Sequence, residues 1–183
     1  MIVKYEITED DLVAFHRYHC AHSAAVKKKK YIAMLAASVV IVGGSLLVPL
    51  PDVSPSLIVG VAIPVAAVFC IVYNFWTFPK AIDQQVRRML KEGANKAIIG
   101  DQQIEVDDSG IVKRNAVSES RFSWIGVERI AETDTHAFIY FASTVAIVIP
   151  KRSCGGGDPV EIIALLKQSW IAANPDAATK QFD

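Results

Sequence analysis

The densest group of potential metal ligands is the segment HRYHCAH, residues 16–22. If this segment is helical, His16, His19 and Cys20 share one face, and imidazole and thiolate groups bind transition metals. A closed four-coordinate site needs a further ligand, and the sequence contains no second cluster of such residues. Two interpretations stay open: these residues bind a metal, or they line a helix surface beside a membrane. We expect the second, and therefore no metal and no cofactor.

A second chemically suggestive segment is IPKRSCGGGDPVEII, residues 149–163, in which two cations and three glycines separate a strand pattern from a helix pattern. A phosphate-binding P-loop has its lysine and hydroxyl after the glycines, whereas Lys151 here precedes them. Asp158 and Glu161 are spaced as a helix N-cap and the third residue after it, so carboxylates occupy the helix start. The segment is predicted to connect strand and helix, which leaves Lys151 and Arg152 as its only groups for an anion.

Enzyme motifs are absent from the sequence. No GxSxG, HExxH, Walker or dinucleotide-binding pattern occurs, and His136 has no nucleophile or carboxylate at motif spacing. Trp124 is expected in a hydrophobic core rather than against a ligand, because it lies in a short apolar strand pattern. Cys20, Cys70 and Cys154 are isolated, so no disulfide framework is expected. We predict that the protein is not an enzyme.

Two uncharged segments are long enough to cross a membrane as helices. Residues 31–50 and 57–78 contain no Asp, Glu, Lys, Arg or His, and each has the roughly 20 residues that a bilayer core requires. The connector PDVSP, residues 51–55, suits only a reversal, so the spans are expected to form a hairpin. Small residues that favour close helix packing are Ala33, Ala37, Ala62, Ala66 and Gly43-Gly44. Without an ionisable group in either span, the hairpin is expected to be an anchor rather than a transport path.

The charges are distributed unevenly although they sum to zero. Residues 1–30 carry six Lys or Arg and four Asp or Glu, residues 79–98 carry five and two, and residues 99–183 carry eight and twelve. By the positive-inside rule both termini are expected in the cytoplasm, and the acidic C-terminal part argues against nucleic acid. The cations predicted to face anionic lipid or a partner are Lys27, Lys28, Lys29, Lys30, Arg87, Arg88, Lys151 and Arg152. A C-terminal set, Lys113, Arg114, Arg121, Arg129, Lys151 and Arg152, is interpreted either as a headgroup-binding surface or as solvated strand edges.

Hydrophobic periodicity predicts the elements that position these groups. Residues 3–7 are predicted to be a strand, and a helix with Thr8 as its N-cap is predicted from about residue 9 to the lysines. Apolar residues at helical spacing then predict an amphipathic helix from residue 79 to about 93. The later elements are strands at 103–107, 111–116, 121–124, 127–132, 136–141 and 145–149, and a helix at 159–173. Strands followed by one helix predict a small antiparallel barrel or a sharply bent sheet with the helix packed across it.

This arrangement resembles the YcxB-like family of small bacterial membrane proteins. The resemblance covers nearly the whole chain and rests on an N-terminal strand and basic helix, two spans, and the later segments SWIGVERIAET, HAFIYF and VAIVIPKR. It implies a cytosolic domain similar to pleckstrin-homology-like folds, a bacterial inner membrane, and no enzyme. Around Cys154 this chain has SCGGG where family members often have an aromatic residue, so no loop-specific role is carried over.

The sequence therefore predicts a transmembrane α-helical hairpin joined to an α+β cytosolic domain. The predicted parts are the N-terminal strand and juxtamembrane helix at 1–30, the hairpin at 31–78, a connecting helix at 79–98, the YcxB-like domain at 99–176 and a tail at 177–183. We hypothesise that the N-terminal strand joins the C-terminal sheet, because both are expected in the cytoplasm.

The predicted function is non-enzymatic. The expected partners are the lipid bilayer and a protein, which is either a different protein or a second copy of this chain. The cytosolic domain of this multi-pass inner-membrane protein would contact that partner or anionic lipid. The alternative is a membrane-tethered enzyme or a phosphate-binding protein that uses the 149–161 loop.

Overall fold

A computed structural model describes residues 1–47, 53–92 and 98–175. The chain falls into two compact units. The first, referred to below as the sheet unit, contains Met1–Phe15 and Val86–Asp183. The second, the hairpin unit, is His16–Gln85. The chain segments before and after the hairpin therefore belong to one unit.

The helices up to residue 91 are α1, Glu9–His22; α2, Ala24–Leu47; α3, Pro55–Val72; a π-helix, Tyr73–Thr77; and α4, Phe78–Lys91. The predicted helix from residue 9 to the lysines is interrupted at Ser23, whose Oγ accepts a hydrogen bond from Val26 N at 3.4 Å. The amphipathic helix predicted from residue 79 is confirmed as α4. Residues 48–50 of the first predicted span and residues 51–52 of the connector lie outside the described residues.

α2 and α3 pack on each other and expose most of their apolar surface. Ala62 and Ala66 of α3 are each 6% exposed, as predicted for small residues at a helix contact. The predicted close helix contact at Gly43 and Gly44 is wrong, because a Cβ added to either residue would meet no atom within 4 Å. By length and composition, two described helical segments, Ala24–Leu47 and Pro55–Lys91, could cross a membrane.

The described residues of the sheet unit form two antiparallel sheets and a C-terminal helix. The first sheet has the order β1-β2-β3-β4, with β1 at Ile2–Ile7, β2 at Gly100–Val106, β3 at Gly110–Asn115 and β4 at Glu119–Ser123. The second has the order β5-β6-β7, with β5 at Arg129–Glu132, β6 at His136–Ala142 and β7 at Val145–Pro150. The helix α5, Pro159–Ala173, has the predicted bounds.

The described strands do not close into a barrel, so the barrel alternative is wrong; they form two separate sheets rather than one. The strand predicted at 121–124 ends at Ser123, and Trp124–Gly126 forms a 3-10 helix between β4 and β5. This helix breaks the ladder, and β4 and β5 remain in separate sheets. At the opposite edge of the first sheet, β1 contacts the segment after β7 through an isolated β-bridge between Lys4 and Gly155.

The hypothesis that the N-terminal strand joins the C-terminal sheet is confirmed. β1 pairs with β2 in antiparallel register, with Val3 opposite Ile104 and Tyr5 opposite Gln102. Val3 and Ile104 are fully buried. Burying one large aliphatic side chain contributes about 1.5 to 3 kcal/mol. The first seven residues therefore supply part of the core that the C-terminal residues complete.

Two tryptophans close the core of the sheet unit. Trp124 is buried, as predicted, and its Nε1 donates a hydrogen bond to the carbonyl of Asp107 at 2.9 Å. Trp170 of α5 is also buried and donates to the carbonyl of Val127 at 2.9 Å. A buried indole needs such an acceptor, because its N–H loses water on folding. These bonds fix α5 against the turn that follows β4.

Candidate functional site

The glycine-rich loop at 149–161 uses its charged groups within the sheet unit. Lys151 Nζ donates to Glu132 Oε1 at 2.7 Å. Arg152 donates from Nη2 to Asp11 Oδ2 at 2.6 Å and also from Nη1 to Asp11 Oδ1. The Asp158 side chain accepts from Val160 N at 2.9 Å, which confirms Asp158 as the N-cap of α5. The two cations that the sequence analysis left for an anion are thus each paired with a carboxylate, and Glu132 also accepts from Lys167 Nζ at 2.5 Å.

The glycines of this loop pass close to the backbone of β1. Gly155 and Lys4 exchange backbone hydrogen bonds of 2.7 Å and 3.2 Å. Gly156 has a φ of +116°, and a Cβ added there would lie 2.9 Å from the carbonyl oxygen of Ile2. Only glycine combines that backbone conformation with so close an approach. The glycines therefore have a packing role at β1, which the sequence pattern alone did not reveal.

Asp11 lies at the centre of a buried polar cluster, referred to here as the Asp11 cluster. Its carboxylate is 1% exposed and is bound by Arg152. It also accepts from Thr8 N at 2.8 Å, from Thr8 Oγ1 at 2.9 Å, and is 2.8 Å from His136 Nε2. The other ring nitrogen of His136 is 2.8 Å from Thr135 Oγ1. The cluster joins the start of α1, the start of β6 and the 149–161 loop.

Burial by itself would raise the pKa of Asp11. The hydrogen bonds from Arg152, from Thr8 and from His136 outweigh that effect and hold the pKa well below its ordinary value. Asp11 is therefore ionised at neutral pH. Its bond to Thr8 N is the bond that the third residue of a helix makes in a capping box, so it also stabilises the start of α1.

Thr135, His136 and Asp11 form a series of a hydroxyl, an imidazole and a carboxylate. The catalytic triad of a hydrolase has the same order of groups. In such a triad the carboxylate stabilises the imidazolium that forms during the reaction. Here the guanidinium of Arg152 binds both oxygens of that carboxylate. The geometry therefore favours a structural ion pair over a catalytic group.

The other basic residues of the sheet unit are largely balanced in the same way. Arg114 binds Glu105 at 2.5 Å and Glu119 at 2.7 Å, and Arg121 binds Glu119 at 3.0 Å. Arg129 lies 4.2 Å from the centre of the Tyr140 ring. Burial lowers the pKa of Lys113. Most cations of this set are thus paired with carboxylates, while Arg129 is exposed. The headgroup-binding interpretation of the set stays a prediction.

The juxtamembrane cations differ among themselves. Lys27, Lys28 and Lys29 are exposed, whereas Lys30 is half-buried. In the sheet unit, Arg87 binds Glu9 at 3.0 Å and Asp10 at 2.6 Å, and Arg88 is exposed. The four lysines are therefore not equivalent, although they are adjacent in the sequence.

The candidate metal ligands His16, His19 and Cys20 lie on α1. Within residues 1–47, 53–92 and 98–175, no group of three His, Cys, Asp or Glu side chains has the proximity that a metal ion requires. Burial lowers the pKa of His16 and raises that of the Cys20 thiol. The metal interpretation thus receives no support from the described residues.

Sequence reasoning missed the Asp11 cluster because its members are far apart in the chain. Asp11 and Arg152 are separated by 141 residues, and Asp11 and His136 by 125. The usable signal was indirect: once β1 is paired with β2, the start of α1 must lie near the sheet. An acid in the first helical turn and a cation after the last strand then become candidate partners.

The described elements define a class of protein: two apolar helices long enough to span a membrane, joined to an antiparallel α+β unit that includes residues from both sides of them in the chain. The family model described as YcxB-like protein matches residues 106–166, so this part of the chain is a YcxB-like domain, as the resemblance implied. The two apolar helices fit a two-span membrane protein of that kind. No curated protein and no solved structure was found to match the chain.

Proposed function

We propose that this protein is a non-enzymatic membrane protein, anchored by the α2–α3 hairpin, whose YcxB-like domain contacts a protein partner. The observation that carries the proposal is the exposure of large apolar side chains along both helices; Leu35 and Val40, for example, are 66% and 72% exposed. Each such side chain favours a lipid environment over water by about 1.5 to 3 kcal/mol. A bilayer would cover these surfaces.

The sheet supports a specific topology. β1 precedes the hairpin and β2 follows it, and the two strands pair directly. If the hairpin crosses a membrane, both flanks must therefore lie on the same side. The lysines at 27–30 assign that side to the cytoplasm by the positive-inside rule, at the inner membrane. A pleckstrin-homology-like fold belongs to the same proposal, supported by two antiparallel sheets and a C-terminal helix.

A protein partner is favoured over lipid for the YcxB-like domain. Its cations Arg114, Lys151 and Arg152 are each paired with a carboxylate. Exposed aliphatic side chains remain, and Ile125, which follows β4, is 79% exposed. Singly exposed apolar residues are common, but a contiguous apolar patch marks a surface that contacts another protein or a second copy of the same chain, so the proposal requires Ile125 to belong to such a patch. The alternative phosphate-binding role of the 149–161 loop has less support, because the loop binds β1 and Asp11.

The anchor and the partner are tested separately. We expect the full-length protein to stay in the membrane pellet at high pH, and release by alkaline carbonate would contradict the anchor. For the partner, a photoreactive amino acid is placed at Ile125 in native membranes, with Asp134, an exposed residue of the turn before β6, as the matched position. We expect one discrete adduct at position 125 only. Equal labelling at both positions would contradict a specific surface.

A further inference from the structure

A crevice of about 340 Å³ lies within the hairpin unit. Its volume is at the lower end of the range for ligand pockets, roughly 300 to 1,000 Å³. Three cations line it: Arg17 of α1, and Lys27 and Lys30 of α2. Asn74 of the π-helix lines it as well. π-helical turns inside α-helices occur frequently at functional sites.

Lys30 is held in a fixed position at this crevice. Its Nζ donates a hydrogen bond to Asn74 Oδ1 at 2.6 Å. The same ammonium lies 5.4 Å from the centre of the Tyr31 ring and 5.1 Å from that of Phe78. An ammonium oriented by an amide and two rings has lost much of the freedom of a surface lysine, so it binds an anion at a lower entropic cost.

The crevice has a net positive charge. Arg17 Nε donates to Asp83 Oδ1 at 2.7 Å, and its Nη2 donates to Asp83 Oδ2. Asp83 therefore balances one of the three cations. Lys27 and Lys30 remain as the net charge, which suits a phosphodiester group.

The remaining lining is apolar. Tyr31, Phe78, Pro79 and Ile82 line the crevice together with Cys20. The exposed aliphatic surface of α2 begins directly after Tyr31 in the chain. A ligand that fits therefore has an anionic head and apolar chains. We propose that this crevice is a discrete site for the headgroup phosphate of an anionic phospholipid; the proposal rests on the membrane anchoring proposed above.

This site differs from general attraction of a lysine cluster to an anionic membrane. General attraction treats Lys27, Lys28, Lys29 and Lys30 alike. The crevice is lined by Lys27 and Lys30, which are three residues apart and share one helix face, but not by Lys28 or Lys29. The neighbouring pair supplies a matched control with the same charge and nearly the same depth.

Trp76 provides a native probe of this region. It lies in the π-helix between Asn74 and Phe78 and is 69% exposed, whereas Trp124 and Trp170 are buried in the sheet unit. The full-length protein is reconstituted in phosphatidylcholine vesicles that contain either brominated phosphatidylglycerol or brominated phosphatidylcholine. Quenching of Trp76 fluorescence then gives the relative affinity of the site for the anionic lipid.

We expect brominated phosphatidylglycerol to quench Trp76 more than brominated phosphatidylcholine does. Lys27→Gln and Lys30→Gln should each lower the relative affinity about tenfold or more, because each removes a charge-assisted contact to the headgroup phosphate. Lys28→Gln and Lys29→Gln should each lower it less, by about fivefold at most, because they lose only the general attraction of one cation to an anionic surface. Asn74→Ala, which removes no charge, should also lower it, because Lys30 loses its fixed position.

Several outcomes would overturn the site. Equal effects of all four lysine variants, or no effect of Asn74→Ala, would leave only general charge attraction. Displacement of the lipid by inorganic phosphate at constant ionic strength would assign the crevice to free phosphate instead. A lack of quenching by either brominated lipid would instead contradict the membrane anchor, so the two proposals fail in distinguishable ways.

Discussion

At the scale of single residues, Asp11 connects separate parts of the sheet unit. Its buried carboxylate is bound by Arg152, Thr8 and His136, which come from three separate places in the chain. Losing this carboxylate is costly because the donors that surround it, among them the buried His136 and the backbone N–H of Thr8, then lose an acceptor, whereas the half-exposed Arg152 stays solvated. The start of α1 should therefore depend on this one side chain.

Asp11→Asn tests this dependence. We expect it to lower the free energy of unfolding by about 1 to 3 kcal/mol, since the amide keeps only one acceptor oxygen and places an N–H group against donors that bound the other. The measurement is chemical denaturation of the full chain in detergent, followed by the fluorescence of the buried tryptophans. Asp10→Asn is the control, because Asp10 is exposed and pairs only with the exposed Arg87 among the contacts described. Equal effects of both substitutions would contradict the importance of burial.

The lowered pKa of Asp11 predicts a pH dependence of stability. A carboxyl whose pKa is lower in the folded state stabilises the fold above its unfolded pKa, about 3.9, and loses that contribution as pH falls towards the folded pKa. The free energy of unfolding of the wild type should therefore decrease below about pH 5 more steeply than that of Asp11→Asn. Parallel curves for the two proteins would show that Asp11 does not contribute.

At the scale of elements, the contact between β1 and the 149–161 loop explains the glycines. A Cβ at Gly156 would lie 2.9 Å from Ile2 O, and the residue has a positive φ. The same segment attracts attention in the sequence as a phosphate loop. In the structure, the backbone of this segment hydrogen-bonds to β1 instead.

Gly156→Ala is predicted to destabilise the sheet unit by about 1 to 3 kcal/mol, through backbone strain and displacement of β1. Gly126→Ala is the control, since a Cβ at Gly126 would meet no atom within 4 Å. Thermal unfolding of both variants gives the comparison. A neutral effect of Gly156→Ala would contradict the packing role of the loop.

The contribution of β1 can be measured by expressing the C-terminal residues without it. A fragment of residues 99–183 lacks the strand that covers Ile104, so we expect it to aggregate or to bind dyes specific for exposed apolar surface. Fusing residues 1–8 to this fragment through a flexible linker should restore a cooperative unfolding transition. A stable, monomeric 99–183 fragment would contradict the role of β1 in the core.

Local elements were predictable from the sequence because their signals are local. Residues 103–107 alternate polar and apolar side chains, β6 and β7 are short apolar runs, and α5 has Asp158 as a cap and Pro159 in its first turn. The π-helix at Tyr73–Thr77 and the interruption at Ser23 have no comparable pattern. The close helix contact predicted at Gly43-Gly44 is absent, because small residues permit such a contact without producing one. The crevice could not be predicted, since it depends on how Lys30 and Asn74 meet across the hairpin.

At the scale of the whole molecule, one sheet is built from both sides of an apolar hairpin. β1 precedes α2 and α3, and its partner β2 follows them. A membrane-spanning hairpin is therefore compatible with this sheet only if both flanks are on one side. The positive charges beside the hairpin favour the cytoplasmic side. The fold thus requires the two flanks to share a side of any membrane that the hairpin crosses, and the charge distribution predicts which side that is.

Labelling of single cysteines with a membrane-impermeant maleimide tests this topology most directly. Cys20, Cys70 and Cys154 are first replaced by serine, and one cysteine is then placed at Glu6, Ser54 or Asp134. We predict that intact cells label only Ser54→Cys, at the hairpin turn. Glu6→Cys and Asp134→Cys should be labelled only after the membrane is permeabilised. Labelling of positions 6 and 134 from opposite sides, or of all three positions in intact cells, would contradict the account.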